Sequence, residues 1–106
     1  MALTRSYKET VLERLKQDPE FRQSLYAEAV TALLEGEQTV AFSMLRDLIH
    51  ASVTFKRLAE ETGVSEKSLH RMLGQNGNPT IQNIGKILHA IQQDLGYVPQ
   101  VTVSAA

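Results

Sequence analysis

The stretch "LAEETGVSEKSLHRMLG", residues 58–74, leaves the chain few folds to choose from. Leu58, Ala59 and Thr62 recur at helical spacing, and Leu69, Met72 and Leu73 do so again. Only Gly63, Val64 and Ser65 lie between these two short amphipathic segments. Gly63 supplies a left-handed turn at the end of the first helix, and Ser65 caps the second. Val64 can plug the corner, and Ala59 is small where the helices approach most closely. A linker this short makes the two helices cross at a steep angle.

The helical period extends over most of the chain. Tyr7, Val11, Leu12 and Leu15 form the apolar stripe of a first helix over about residues 6–16, which Asp18–Pro19 breaks. A second helix carries Phe21, Leu25, Ala29, Val30, Leu33 and Leu34 and stops at Gly36. A third, over residues 37–51, turns Val40, Met44, Leu45, Leu48 and Ile49 inward. Thr54 is a good N-cap for a fourth helix over 55–62, and Ser65 for a fifth ending near Leu73. The loop "GQNGNP" is rich in turn formers. From Pro79 or Thr80 a sixth helix turns Ile81, Ile84, Leu88, Ile91 and Leu95 inward, and Gly96 stops it. Residues 97–106 alternate Val101 and Val103, as a short strand or a frayed tail would. The expected class is all-α with five to six helices. It divides into a two-helix N-terminal extension (1–36), a helical domain around the bend (37–96) and a C-terminal tail (97–106).

At 106 residues the chain can bury one modest core, and its 42% apolar and 22% charged residues are ordinary for a soluble globular protein. Without cysteine it has neither disulfides nor thiolate metal ligands. The N-terminus lacks the apolar core of a signal peptide, and no uncharged stretch approaches the ~20 residues of a membrane span. A cytoplasmic protein is expected. The net charge of −1 argues against a general polyanion binder, but the charge is unevenly placed. Residues 54–93 hold Lys56, Arg57, Lys67, Arg71 and Lys86 against Glu60, Glu61 and Glu66, a local balance of +2 around the bend.

On the fifth helix, at about 100° per residue, Leu69, Met72 and Leu73 define the buried arc. Lys67 and Arg71 then fall within about 30° of the opposite direction, flanked by His70, with Glu66 on the shoulder. Two cations at i, i+4 cost an isolated helix ~0.2–0.5 kcal/mol. The pair makes sense if a phosphate or a guanine edge supplies the missing partner. Ala59, Gly63, Val64, Ser65 and Leu69 together match the spacing of a helix-turn-helix. His50, His70 and His89 are far apart in sequence and lack companion ligands, so no metal or cofactor is expected. His50 and His89 read as solvated or capping residues. No nucleophile–base arrangement or phosphate-binding loop is present, and no catalytic residue or enzymatic activity is expected.

Residues 38–91 resemble the helix-turn-helix domain of the lambda repressor/Cro-like (XRE-type) regulators, and "GNPTIQNIGKILHAI" resembles that superfamily's final segment. The whole chain, including "YAEAVTALLEGEQTVAFSMLRDLI", is similar to the addiction-module antidote proteins, the HigA-like antitoxins. The resemblance implies a lambda-repressor-like bundle whose fifth helix is the recognition helix. It makes Glu66, Lys67, His70 and Arg71 the residues that meet base edges, and Thr54, Lys56, Ser65, Asn76, Asn78 and Thr80 phosphate-contacting positions. Phe55 departs from a family position where glutamine often contacts phosphate, and fits a core or staple role instead. The implied function is a homodimeric repressor of a palindromic operator in double-stranded DNA, which also neutralises a RelE/HigB-type toxin. The alternative is a protein-interaction module, a toxin neutraliser or scaffold, that keeps the bend without binding DNA.

Overall fold

Most helix boundaries have a visible chemical cause. In the computed structural model, which describes the chain from Leu3 onward and side chains from Tyr7 onward, α1 (Leu3–Gln17) gives way to α2 (Pro19–Leu34) at Asp18. Met1 and Ala2, the start of the expected N-terminal extension, lie outside the described residues. Asp18 accepts a hydrogen bond from the Phe21 amide at 3.1 Å, and Pro19 occupies a first-turn position where no N–H is needed. Arg22 donates to the carbonyls of Leu15 at 2.8 Å and Lys16 at 3.1 Å, so the exposed end of α1 is satisfied by the next helix.

Gly36, with φ +82°, turns the chain into α3 (Gln38–Ala51). There follow α4 (Phe55–Thr62), α5 (Glu66–Met72) and α6 (Ile81–Leu95). The last starts at Ile81 because Thr80 takes the extended cap conformation and accepts from the Asn83 amide at 3.1 Å. It ends on the left-handed Gly96, with φ +74°. Against expectation α1 begins earlier, at Leu3, whereas α5 ends where expected, at Met72 with Leu73 as its cap. Residues 97–106 form no strand, and no strand occurs among the described residues.

Among the described residues the six helices make an all-α fold whose core is one continuous cluster. Leu15 of α1 and Tyr26 and Ala29 of α2 enter it beside Phe42, Leu45, Leu48 and Ile49 of α3. Phe55, Leu58, Leu69, Leu73, Ile87 and Ile91 complete it from the other side. Here α1, α2 and α3 pack on one another, while α4 packs on α5 and α6. The apolar stripe of residues 1–36 is thus largely spent on the rest of the chain.

Four residues expected inside are outside. Tyr7, Leu34, Val40 and Ile81 are 74, 71, 44 and 90% exposed. Leu34 ends α2, Ile81 begins α6, and Val40 is in the first turn of α3. Tyr7 lies in the N-terminal half of α1. The period is right, but the stripe at such positions runs past the neighbour that would cover it.

Candidate functional site

The corner between α4 and α5 is built from backbone geometry and one threonine. Gly63 sits at φ +75°, ψ 11°, and its N–H donates to the Ala59 carbonyl at 3.0 Å, closing α4. The Thr62 hydroxyl donates back to Leu58 at 2.8 Å and accepts from the Val64 amide at 3.2 Å, which pins the turn from inside. Ala59 and Val64 are half-buried against the core, as the sequence requires of a close approach and a plug. Ser65 accepts from the Ser68 amide at 3.1 Å and opens α5, whose Leu69 is fully buried.

With Leu69 inward, Glu66, Lys67, His70 and Arg71 are all exposed. Among the described residues neither Lys67 nor Arg71 has an ion-pair partner. The i, i+4 repulsion inferred from sequence is therefore not relieved by an ion pair among the described residues.

His70 is more constrained than its neighbours. Its ring stacks on Phe55, with centroids 3.9 Å apart and planes 24° from parallel. His50 stands 4.8 Å from Phe55 and 5.9 Å from His70. His50 is therefore not simply a solvated or capping side chain. The three rings join the last turn of α3, the first residue of α4 and the second half of α5. Phe55 itself is 4% exposed, in keeping with a core role.

The expected phosphate-contacting positions fall into two kinds. Thr54, Ser65 and Thr80 are N-caps, and their hydroxyls accept from the amides of Arg57, Ser68 and Asn83. What they leave at these helix starts are the remaining free N–H groups, with the positive end of the helix dipole. Lys56, Asn76 and Asn78 are exposed. Thr54 takes φ +75°, ψ 149°, a region that a β-branched residue enters only under strain.

Several positioning residues carry no local signal in the sequence. The Arg46 guanidinium of α3 donates to the Leu73 carbonyl, and Gln38 donates to the Gly77 carbonyl at 3.3 Å. Together they tie the end of α5 and the following loop to α3. A Cβ on Gly77 would lie 2.0 Å from the Met72 carbonyl oxygen, so no other residue fits the loop as it stands. The second glycine of "GQNGNP" was the available hint.

Arg57 bonds Asp94 of α6 at 3.1 Å and pairs with Glu61 at 3.4 Å, so it is not a free cation of the locally positive segment. Hydrogen bonding to Asp94 raises the pKa of the Glu61 carboxyl above its ordinary value. Desolvation adds to this and the Arg57 charge opposes it. Asp94 Oδ2 is buried and has no hydrogen-bond partner among the described residues. Lys56, Lys67, Arg71 and Lys86 remain without ion pairs among the described residues.

Among the described residues no group of three or more His, Asp or Glu could hold a metal ion, and no helix is long and apolar enough to cross a membrane. Comparison with protein-family models, curated proteins and solved structures gives no match.

Proposed function

We propose that this chain is a sequence-specific DNA-binding transcription regulator built on a lambda-repressor-like helix-turn-helix, with α4 and α5 as the motif. One observation carries the reading: Lys67 and Arg71 project, exposed and without an ion pair among the described residues, from the outer face of a helix anchored by fully buried Leu69. Both cations suit a guanine edge or a phosphate, and Glu66 can accept from a cytosine amino group. The caps Thr54, Ser65 and Thr80, with exposed Lys56, Asn76 and Asn78, supply N–H groups and polar side chains for the flanking phosphates. His70, held against Phe55, offers the partner only its outer face and edge.

A homodimer would place two such helices about 34–36 Å apart, one turn of the double helix, on a palindromic operator. The resemblance to HigA-like antitoxins adds a cytoplasmic setting, repression of the chain's own operon and neutralisation of a RelE/HigB-type toxin. No enzymatic step and no cofactor belongs to this reading. The test is selection from a random duplex pool at low salt. Recovery of a palindromic consensus supports the regulator, and no enrichment above background removes it.

A second reading rests on a specific observation. Pairing of Arg57 with Asp94 and Glu61 leaves the motif face less positive than its composition suggests, as suits a protein-interaction module without DNA binding. Co-purification with a co-expressed toxin, together with failure of the duplex selection, would favour it.

A further inference from the structure

We propose that residues 100–104 form an intermolecular strand pair with the same segment of a second copy of this chain, and that the resulting ribbon lies over the open face of α2. After Tyr97, whose amide bonds the Gln92 carbonyl at 2.9 Å, the chain runs to Ala106 without helix, turn or bend. From Val98 onward no backbone group makes a backbone hydrogen bond among the described residues. A straight run of unpaired N–H and C=O groups is a template for another strand. Val98, Val101 and Val103 are 83, 70 and 85% exposed on the same segment.

The charge pattern selects the occupant. Asp94 carries the last charged side chain, and residues 95–106 contain none. Two copies can therefore pair without side-chain repulsion, whereas a strand offered to a differently charged partner would be expected to carry complementary charges. Pro99 lacks an N–H and confines the ladder to the residues after it. A five-residue pair is an ordinary strand length.

Register follows from the valines. In an antiparallel pair with its twofold axis at Thr102, Val101 of each copy lies opposite Val103 of the other, giving two apolar cross-strand pairs on one face. An axis at residue 101 or 103 gives only one valine–valine pair. A two-stranded ribbon alone is marginal in water and needs an apolar surface beneath it. The structure provides one: an open groove of about 740 Å³ runs between the tail and α2, lined by Val30, Leu34 and Tyr97. Leu34, left 71% exposed at the end of α2, is the residue such a ribbon would cover.

Pairing through the tail deepens the homodimer of the proposed regulator, but its test contains no DNA, so the two ideas fail separately. The purified full chain is measured by light scattering after size exclusion across a concentration series, beside the double variant Val101→Pro/Val103→Pro. A single-cysteine variant, Thr102→Cys, is oxidised under dilute conditions and compared with Gln100→Cys. Circular dichroism checks that all variants keep the wild-type helix content, since none touches the buried core. The expected result is a wild-type dimer, at least a tenfold weaker dimer with the prolines, and rapid disulfide linkage of Thr102→Cys with little for Gln100→Cys. A monomer throughout, a dimer indifferent to the prolines, or equal cross-linking of the two cysteine variants would each overturn the proposal.

Discussion

The His70 ring lies 3.9 Å from the Phe55 ring, nearly parallel to it, and so couples the exposed side of α5 to the first residue of α4. The contact is lopsided, because Phe55 is 4% exposed whereas His70 is an exposed residue. Phe55→Ala is expected to cost about 3–5 kcal/mol, as large aromatic truncations in a core do. His70→Ala, which loses only the stacking, is expected to cost about 0.5–1.5 kcal/mol. Urea denaturation of the two variants checks the ratio. Equal losses would mean that the ring pair, not the core, holds α4 in place.

Thr54 reverses the usual ranking of alanine over glycine. Its φ of +75° with ψ 149° is a region for glycine, and the strain is on the order of 1–3 kcal/mol. Its hydroxyl also caps α4, accepting from the Arg57 amide at 3.3 Å. Thr54→Ala discards the cap, at about 1 kcal/mol, and keeps the strain. Thr54→Gly loses only a few tenths of the cap energy and relieves the strain, against an entropic cost of roughly 0.5–1 kcal/mol. The glycine variant should therefore melt above the alanine variant. The opposite order would show that residue 54 is not held at positive φ.

Two glycines near the candidate site should respond differently to alanine. Gly63 at φ +75° has open space where a Cβ would go, so Gly63→Ala meets only the left-handed penalty of about 1–2 kcal/mol. At Gly77 the added carbon would stand 2.0 Å from a backbone oxygen, and the loop that carries Asn76 and Asn78 must move. Gly77→Ala is expected to lower the midpoint of unfolding more than Gly63→Ala and to alter the amide spectrum of residues 71–78. An unchanged spectrum there would contradict the close packing.

Stability should fall in alkali because of Tyr26. Burial pushes its hydroxyl above the ordinary value of 10.0, and the hydrogen bond donated by Gln92 at 2.7 Å opposes this only in part. Burial raises Tyr97 too, with Arg22 opposing, and the two rings lie 5.5 Å apart. A group whose pKa is raised on folding gives stability that is complete below the unfolded value and is lost as pH rises through the folded one. Midpoints should thus hold steady up to about pH 9 and drop above pH 10. Tyr26→Phe should flatten that drop while costing about 0.5–1.5 kcal/mol at neutral pH for each hydrogen bond lost, the one accepted from Gln92 and the longer one donated to the Leu88 carbonyl at 3.4 Å. A drop of the same size in the variant would assign it elsewhere.

What could be read from the residues was local. Asp18–Pro19, Thr54, Gly63, Ser65 and Gly96 mark helix ends because caps and left-handed turns act within a few residues, and the structure puts the ends at or next to them. The buried face of α5 followed from Leu69 in the same way. Contacts between distant residues could not be read. Arg57 and Asp94 are 37 positions apart, as are many pairs that never meet, yet their contact removes one cation from the segment read as positive. His50, Phe55 and His70 meet because α3, α4 and α5 converge, which no periodicity encodes. Ile81 shows the converse limit, since its spacing is that of the core stripe but its place at the first residue of α6 leaves it 90% exposed.

The central claim rests on Lys67 and Arg71, and titration of the selected duplex over a range of salt tests it most directly. The wild-type chain is compared with Lys67→Ala, Arg71→Ala and, as a control on the far side of the sequence, the exposed Lys16→Ala. The expected result is a log affinity that falls linearly with log salt, with a loss of about 1–3 kcal/mol and relaxed specificity for Arg71→Ala. Lys67→Ala should also weaken binding, and Lys16→Ala should leave it unchanged. Equal binding by all four proteins, or none by the wild type at low salt, would contradict DNA recognition by α5.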